Sequence, residues 1–186
     1  MNDTREDEEF WKRPPALFVL IAIRGKAGEE LHEIQQRFDP RLARVAAPHV
    51  TLVGSSGLGP ISARTTVGEL REALEPIARS IPPFEMTFGR PVRFMQTDIV
   101  VLPLDPHGPL RQLHDRIGKS GLSFERARHM FTPHATLSLY KTLRPHEERA
   151  LLALRVETPV LIDHLKLSLT DEPNPPRDVL ELPLTG

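Results

Sequence analysis

The chain has 186 residues, of which 39% are hydrophobic and 26% charged, enough apolar material for a sizeable core and against wholesale disorder. With 24 Lys and Arg against 25 Asp and Glu, the formal charge is −1, so no broad basic field exists for coating a nucleic-acid duplex. The absence of cysteine excludes disulfides, thiolate metal sites, iron–sulfur clusters and a catalytic thiol.

Residues 1–14 are acidic and charged without an apolar segment, so they read as a mobile arm and not as a signal peptide. Residues 15–186 read as a single bilobal α+β domain, since no long flexible linker interrupts them. The longest apolar run, Ala16 to Ile23, has 8 residues, far short of a membrane span, and the expected location is the cytoplasm. That run predicts a buried central strand.

Leu31, Ile34 and Phe38 recur at helical spacing, and Pro48 to Gly54 predicts a strand followed by the Gly-rich loop Ser55 to Pro60. A second helix is expected over 62–80, stopped by Pro82-Pro83. Strands are expected at 84–88, 92–94 and 99–104, then a helix over 109–121. A strand over 133–140, a short helix over 144–154 and strands over 160–170 and 179–184 complete the pattern. The last two are joined by the turn-rich stretch 173–177. His32, His107, His114, His129 and His146 fall on expected helices or loops and read as surface residues, and Phe18 reads as core.

One pattern occurs twice. Pro48-His49-Val50-Thr51-Leu52 and Pro133-His134-Ala135-Thr136-Leu137 share four of five positions, with the histidines 85 residues apart, near half the chain. A single chance match in a chain of this length has odds of roughly one in a thousand from average usage, so two copies point to two similar lobes. On a strand, residues i and i+2 share a face, so His49 projects with Thr51 and His134 with Thr136. If the lobes pair about a pseudo-two-fold axis, two imidazoles and two hydroxyls line one cleft.

That set suits displacement at a phosphodiester. One imidazole takes a proton from the attacking oxygen, the other gives one to the leaving oxygen, and the threonine hydroxyls donate to the non-bridging oxygens. The two copies are too alike to say which histidine is base and which is acid. No metal or other cofactor is required. The competing metal reading lacks local ligands: no Asp or Glu lies within five residues of His49, and the acid nearest His134 in sequence is Glu125. Tyr140, the only tyrosine, falls on the His134 side by alternation and is a candidate substrate-binding residue. Lys141, Arg24, Arg126 and Arg128 are candidates for positive charge around the cleft, and His164 and Lys166 form a polar strand face.

His49-Val-Thr-Leu52 and His134-Ala-Thr-Leu137 resemble the paired motifs of the 2H phosphoesterase superfamily. Phe131-Thr-Pro-His-Ala-Thr-Leu137, preceded by a helix and a turn at Gly121, is similar to the bacterial 2′,5′ RNA ligase-like branch. After the second motif the branch often carries arginine, whereas Ser138-Leu-Tyr140-Lys141 stands here. The resemblance implies two antiparallel sheets about a pseudo-two-fold cleft, with helices packed outside. It implies catalysis by His49 and His134, phosphate binding by Thr51 and Thr136, and metal-independent opening of 2′,3′-cyclic phosphates on RNA ends or nucleotides. The alternatives are 2′,5′ joining of RNA ends at the same site, or a non-catalytic module that binds an RNA end or nucleotide. Extended duplexes and membranes are not expected partners.

Overall fold

The computed structural model describes residues 14–171 and 174–186, so the expected arm over 1–14 lies outside the described residues except for Pro14. In chain order the elements are β1 (Ala16–Ala22), α1 (Gly25–Phe38), α2 (Pro40–Val45), β2 (His49–Val53), β3 (Ile61–Ser62), α3 (Val67–Ala78), β4 (Phe84–Met86) and β5 (Val92–Arg93). They continue with β6 (Val100–Pro103), α4 (Gly108–Gly118), β7 (His134–Ser138), α5 (Pro145–Leu152), β8 (Val160–Ile162), β9 (His164–Asp171) and β10 (Asn174–Pro183). The architecture is α+β with antiparallel sheets, as expected. An eight-stranded sheet runs β10-β9-β1-β2-β7-β6-β5 with β3 beside β1, and β4 pairs with β8 separately.

The sheet is built from two halves that meet at its centre. β2 and β7 are antiparallel, with Val50 opposite Ala135. Outward from that pair, β2 lies against β1 and β7 against β6, so the strands on either side correspond. Both motif strands show the same burial: the histidine and threonine are half-buried, and the residues between and after them are buried. Val50, Leu52, Ala135 and Leu137 all join one apolar core with Val19, Ile21, Leu165 and Leu167.

Helices cover that apolar face. α1 buries Ala27, Leu31, Gln35 and Phe38 along one stripe and packs on β7. α3 buries Leu70, Leu74 and Ala78, and its first turn is closed by a capping box between Thr66 and Glu69. α4 buries Leu110, Leu113, His114 and Ile117.

Several boundaries differ from the sequence expectation. The helices expected over 62–80, 109–121 and 144–154 are each shorter: the Thr66–Glu69 capping box sets where α3 begins, Glu147 accepting from Arg144 N–H sets where α5 begins, and α4 ends at Gly118, just after its last buried residue, Ile117. The strand expected over 160–170 is two strands, since β8 pairs with β4 while β9 joins the main sheet. β10 begins at Asn174, so part of the expected turn over 173–177 is in the ladder with β9. The apolar pattern does not announce α2: its six residues carry little periodicity, and its start is held by the Asp39 side chain accepting from Leu42 N–H at 3.1 Å.

Candidate functional site

The antiparallel register through Val50 and Ala135 carries the motif residues together on the half-buried face of the sheet. One step to either side, His49 comes opposite Thr136 and Thr51 opposite His134. Side chains opposite each other in such a ladder are about 5 Å apart at Cβ. The two imidazoles are close enough that a charge on His49 disfavours one on His134.

Both imidazoles are held in the same way. His49 Nδ1 lies 2.8 Å from the carbonyl oxygen of Ala47, and His134 Nδ1 lies 2.6 Å from that of Thr132. A carbonyl can only accept, so Nδ1 donates in each ring and Nε2 keeps its lone pair. In each case the carbonyl belongs to the residue two before the histidine, with proline between. The proline has fixed φ and no N–H. Its own carbonyl is taken by a neighbouring backbone: Ile23 N–H donates to Pro48 at 2.9 Å, and Leu104 N–H to Pro133 at 2.9 Å. The proline of the repeated pentapeptide therefore turns the preceding carbonyl onto the imidazole twice over.

Burial lowers the pKa of both histidines below the ordinary 6.5, and the bonds to Ala47 and Thr132 partly offset this. For His49 the nearby Lys166 ammonium lowers it further, and for His134 the neighbouring His49 does. Lys166 is on β9, half-buried and ion-paired with Asp178 at 2.9 Å. The edge of the Phe94 ring meets His134, with centroids 5.0 Å apart and planes at 89°. Among the described residues the hydroxyls of Thr51 and Thr136 and both Nε2 atoms have no protein hydrogen-bond partner. Two proton-handling nitrogens and two hydroxyl donors are thus left to a ligand on one face.

The other candidates are distributed differently. β7 ends at Ser138, so strand alternation does not carry through to Tyr140; the chain bends there and the ring packs under the Arg41 guanidinium at 4.5 Å. Leu139 and Tyr140 N–H instead donate to Asp39 at 2.8 and 2.7 Å. Lys141 is ion-paired with Glu147 at 3.0 Å, and Arg24 with Glu181 at 2.7 Å. Arg126 and Arg128 are exposed. Phe18 is half-buried on the face of Leu20 and Ala22, lying against Gly54, where an added Cβ would come 2.1 Å from its ring.

His164 is buried, not solvated: Ala22 N–H donates to its Nε2 at 3.2 Å and its Nδ1 bonds Asp163, which steadies the strand residue that pairs with His49. His114 is also buried, not at the surface; it stacks on Phe131 with centroids 3.9 Å apart, and its Nε2 has no partner. The sequence places it at the surface because the apolar stripe of its helix is complete without it.

Sequence reasoning missed Phe94, Gln35, Asp39 and Ser56. Gln35 Nε2 donates to the carbonyl of Thr136 at 2.8 Å from the core side. Gln35 lies in the buried stripe of α1 with Leu31 and Phe38, and a polar residue in an apolar stripe was the available signal; Asp39 is buried at the junction of α1 and α2, just before Pro40.

A sheet of two corresponding halves, with a duplicated His-x-Thr strand at its centre, is the fold of the 2H phosphoesterases. The family model for the 2′-5′ RNA ligase superfamily matches residues 24–174, and the chain belongs to that superfamily. Among solved structures, TT0787 of Thermus thermophilus is similar with a TM-score of 0.69 at 15% identity, covering 92% of this chain and 98% of that one. E. coli LigT in its apo form gives 0.56 at 20% identity, covering 94% and 100%. A protein described as a phosphoesterase gives 0.54 at 19% identity, covering 94% and 100%. A search among curated proteins finds no match. Among the described residues, no helix is long and apolar enough to cross a membrane.

Proposed function

We propose that the protein is a phosphodiesterase that opens 2′,3′-cyclic phosphates on RNA ends or nucleotides, with His49 and His134 as the acid/base pair. The observation that carries this reading is the matched tethering of the two rings, which leaves Nε2 of each open on one face beside Thr51 and Thr136. Water attacks phosphorus while one Nε2 takes its proton. The bond from phosphorus to one ribose oxygen breaks, and the other histidine, protonated, gives that oxygen its proton. The product is a phosphomonoester with a free neighbouring hydroxyl, and the pair ends with its proton moved from one ring to the other. The two threonine hydroxyls donate to the non-bridging oxygens as charge builds there.

Mutual repulsion favours one proton on the pair, which is the state this reaction uses. Lys166 lowers His49 and the His49 charge lowers His134, so neither ring is held permanently protonated and one can serve as base while the other serves as acid. No step calls for a metal. Membership of the superfamily supports phosphoester chemistry, and E. coli LigT has been crystallised with 3′-AMP and with phosphate. The superfamily's name favours a second reading, 2′,5′ joining of RNA ends, which is the same exchange with a ribose hydroxyl in place of water.

The test is turnover of the four 2′,3′-cyclic mononucleotides and a cyclic-ended oligoribonucleotide with EDTA present, with and without a 5′-hydroxyl acceptor. Wild type should turn over, and His49→Ala and His134→Ala should each lose about 10²–10⁴-fold. A folded variant that retained the full rate would overturn the two-histidine assignment. A joined product would select the second reading.

A further inference from the structure

The Gly-rich loop after the first motif serves the second. Ser56 is 7% exposed, and its Oγ accepts from Thr132 N–H at 3.2 Å. Thr132 is the residue whose carbonyl holds His134 Nδ1. Its N–H and its carbonyl lie in successive peptide planes, separated only by its own φ and ψ. Because Pro133 follows, Thr132 is confined to extended backbone. Anchoring the N–H therefore aims the carbonyl, and the carbonyl aims the imidazole.

The loop is pinned on both sides of that contact. Ser56 bridges to His129, and Gly57 N–H donates to the His129 carbonyl at 2.9 Å. Gly57 has φ of +72° and lies against His114, where a Cβ would come 2.3 Å from Nε2; the same His114 ring stacks on Phe131. The other half has a brace of different reach. Asp39 joins the backbone after the second motif to the start of α2, several residues before the Ala47 carbonyl that holds His49.

We propose that Ser56 is a positioning residue for His134, acting through Thr132, so that the strand carrying one histidine continues into the support of the other. The effect on rate rests on the acid/base reading above; the effect on the ring does not. The test uses ¹⁵N-labelled histidine in the full chain at pH 8, comparing wild type, Ser56→Ala, Ser56→Thr and the exposed control Ser55→Ala. In wild type, both His49 and His134 should give the Nδ1–H signature.

In Ser56→Ala, His134 should become a mixture of tautomers while His49 keeps its signature. kcat should fall on the order of 10- to 10²-fold with KM within about twofold. Ser56→Thr, which keeps the hydroxyl, should restore the signature, and Ser55→Ala should leave it unchanged. An unchanged His134 signal in folded Ser56→Ala, or equal change at both histidines, would overturn the proposal. Should Ser56→Ala fail to fold, amide exchange in wild type decides: the Thr132 amide is expected to be protected relative to that of Met130, and equally fast exchange refutes the anchor. Absence of turnover in wild type would count against the acid/base reading and leave the ring measurements standing.

Discussion

Val50 and Ala135 are register partners of β2 and β7, and each is the variable residue of its own Pro-His-x-Thr-Leu pentapeptide. The pairing centres the two copies on each other. It sets each histidine against the other copy's threonine and lets two small or β-branched apolar side chains close the core beneath.

Because the rings share a face, their titrations are coupled, and kcat/KM against pH should be bell-shaped with limbs belonging to the pair. Burial and like charge lower both histidines, so the acidic limb should fall below 6.5. Lys166→Met removes a cation and frees the Asp178 carboxylate, and both changes raise His49. The acidic limb should therefore move to higher pH; an unmoved limb would mean that Lys166 does not act on the pair.

The hydroxyls of Thr51 and Thr136 should matter for rate and little for fold. Thr51→Val and Thr136→Val keep the strand shape while removing the hydroxyl that the proposed mechanism directs at the phosphate. Each should lower kcat/KM by on the order of 10²-fold with an unchanged melting temperature. Steady-state kinetics beside a thermal melt would reveal the opposite pattern if the hydroxyls were structural.

Asp39 is 1% exposed and accepts from the N–H groups of Leu42, Leu139 and Tyr140. In Asp39→Asn one oxygen becomes an NH₂ group that faces donors. We expect a loss of about 1–3 kcal/mol in urea unfolding with an unchanged m-value. A variant as stable as wild type would show that water replaces those bonds.

His114 gives stability a pH dependence. Burial lowers its pKa below 6.5, against the pull of Asp115, so the unfolded chain binds more protons as pH falls through 6.5. A protonated ring would also bury an Nε2–H with no acceptor. Stability should therefore be full above pH 6.5 and decline below it, with His49 and His134 adding in the same direction. His114→Gln should flatten the decline in melting temperature between about pH 7 and 5, and an unaltered slope would assign it to other groups.

Much of this was legible locally. Strand alternation alone put His49 with Thr51 and His134 with Thr136, and periodicity found α1, α3, α4 and α5. It missed α2, where a single side chain, Asp39, starts a helix that apolar spacing does not announce. Alternation also failed at Tyr140, because two backbone N–H groups turn toward Asp39 and end the strand pattern.

What the sequence by itself determined is the repeated chemistry: two His-x-Thr strands, each preceded by proline, with no cysteine and no local acid to compete. Those follow from residue types and the two-residue period of a strand, which need no partner. The tertiary structure alone decided that the copies are neighbours centred on Val50 and Ala135. It also decided that Phe94 and Lys166 attend different histidines, and that Ser56, 78 residues before His134, supports it through Thr132. Hydrogen bonds and charges act across a few ångströms of space, and which residues share those ångströms is settled by packing and register, not by distance along the chain.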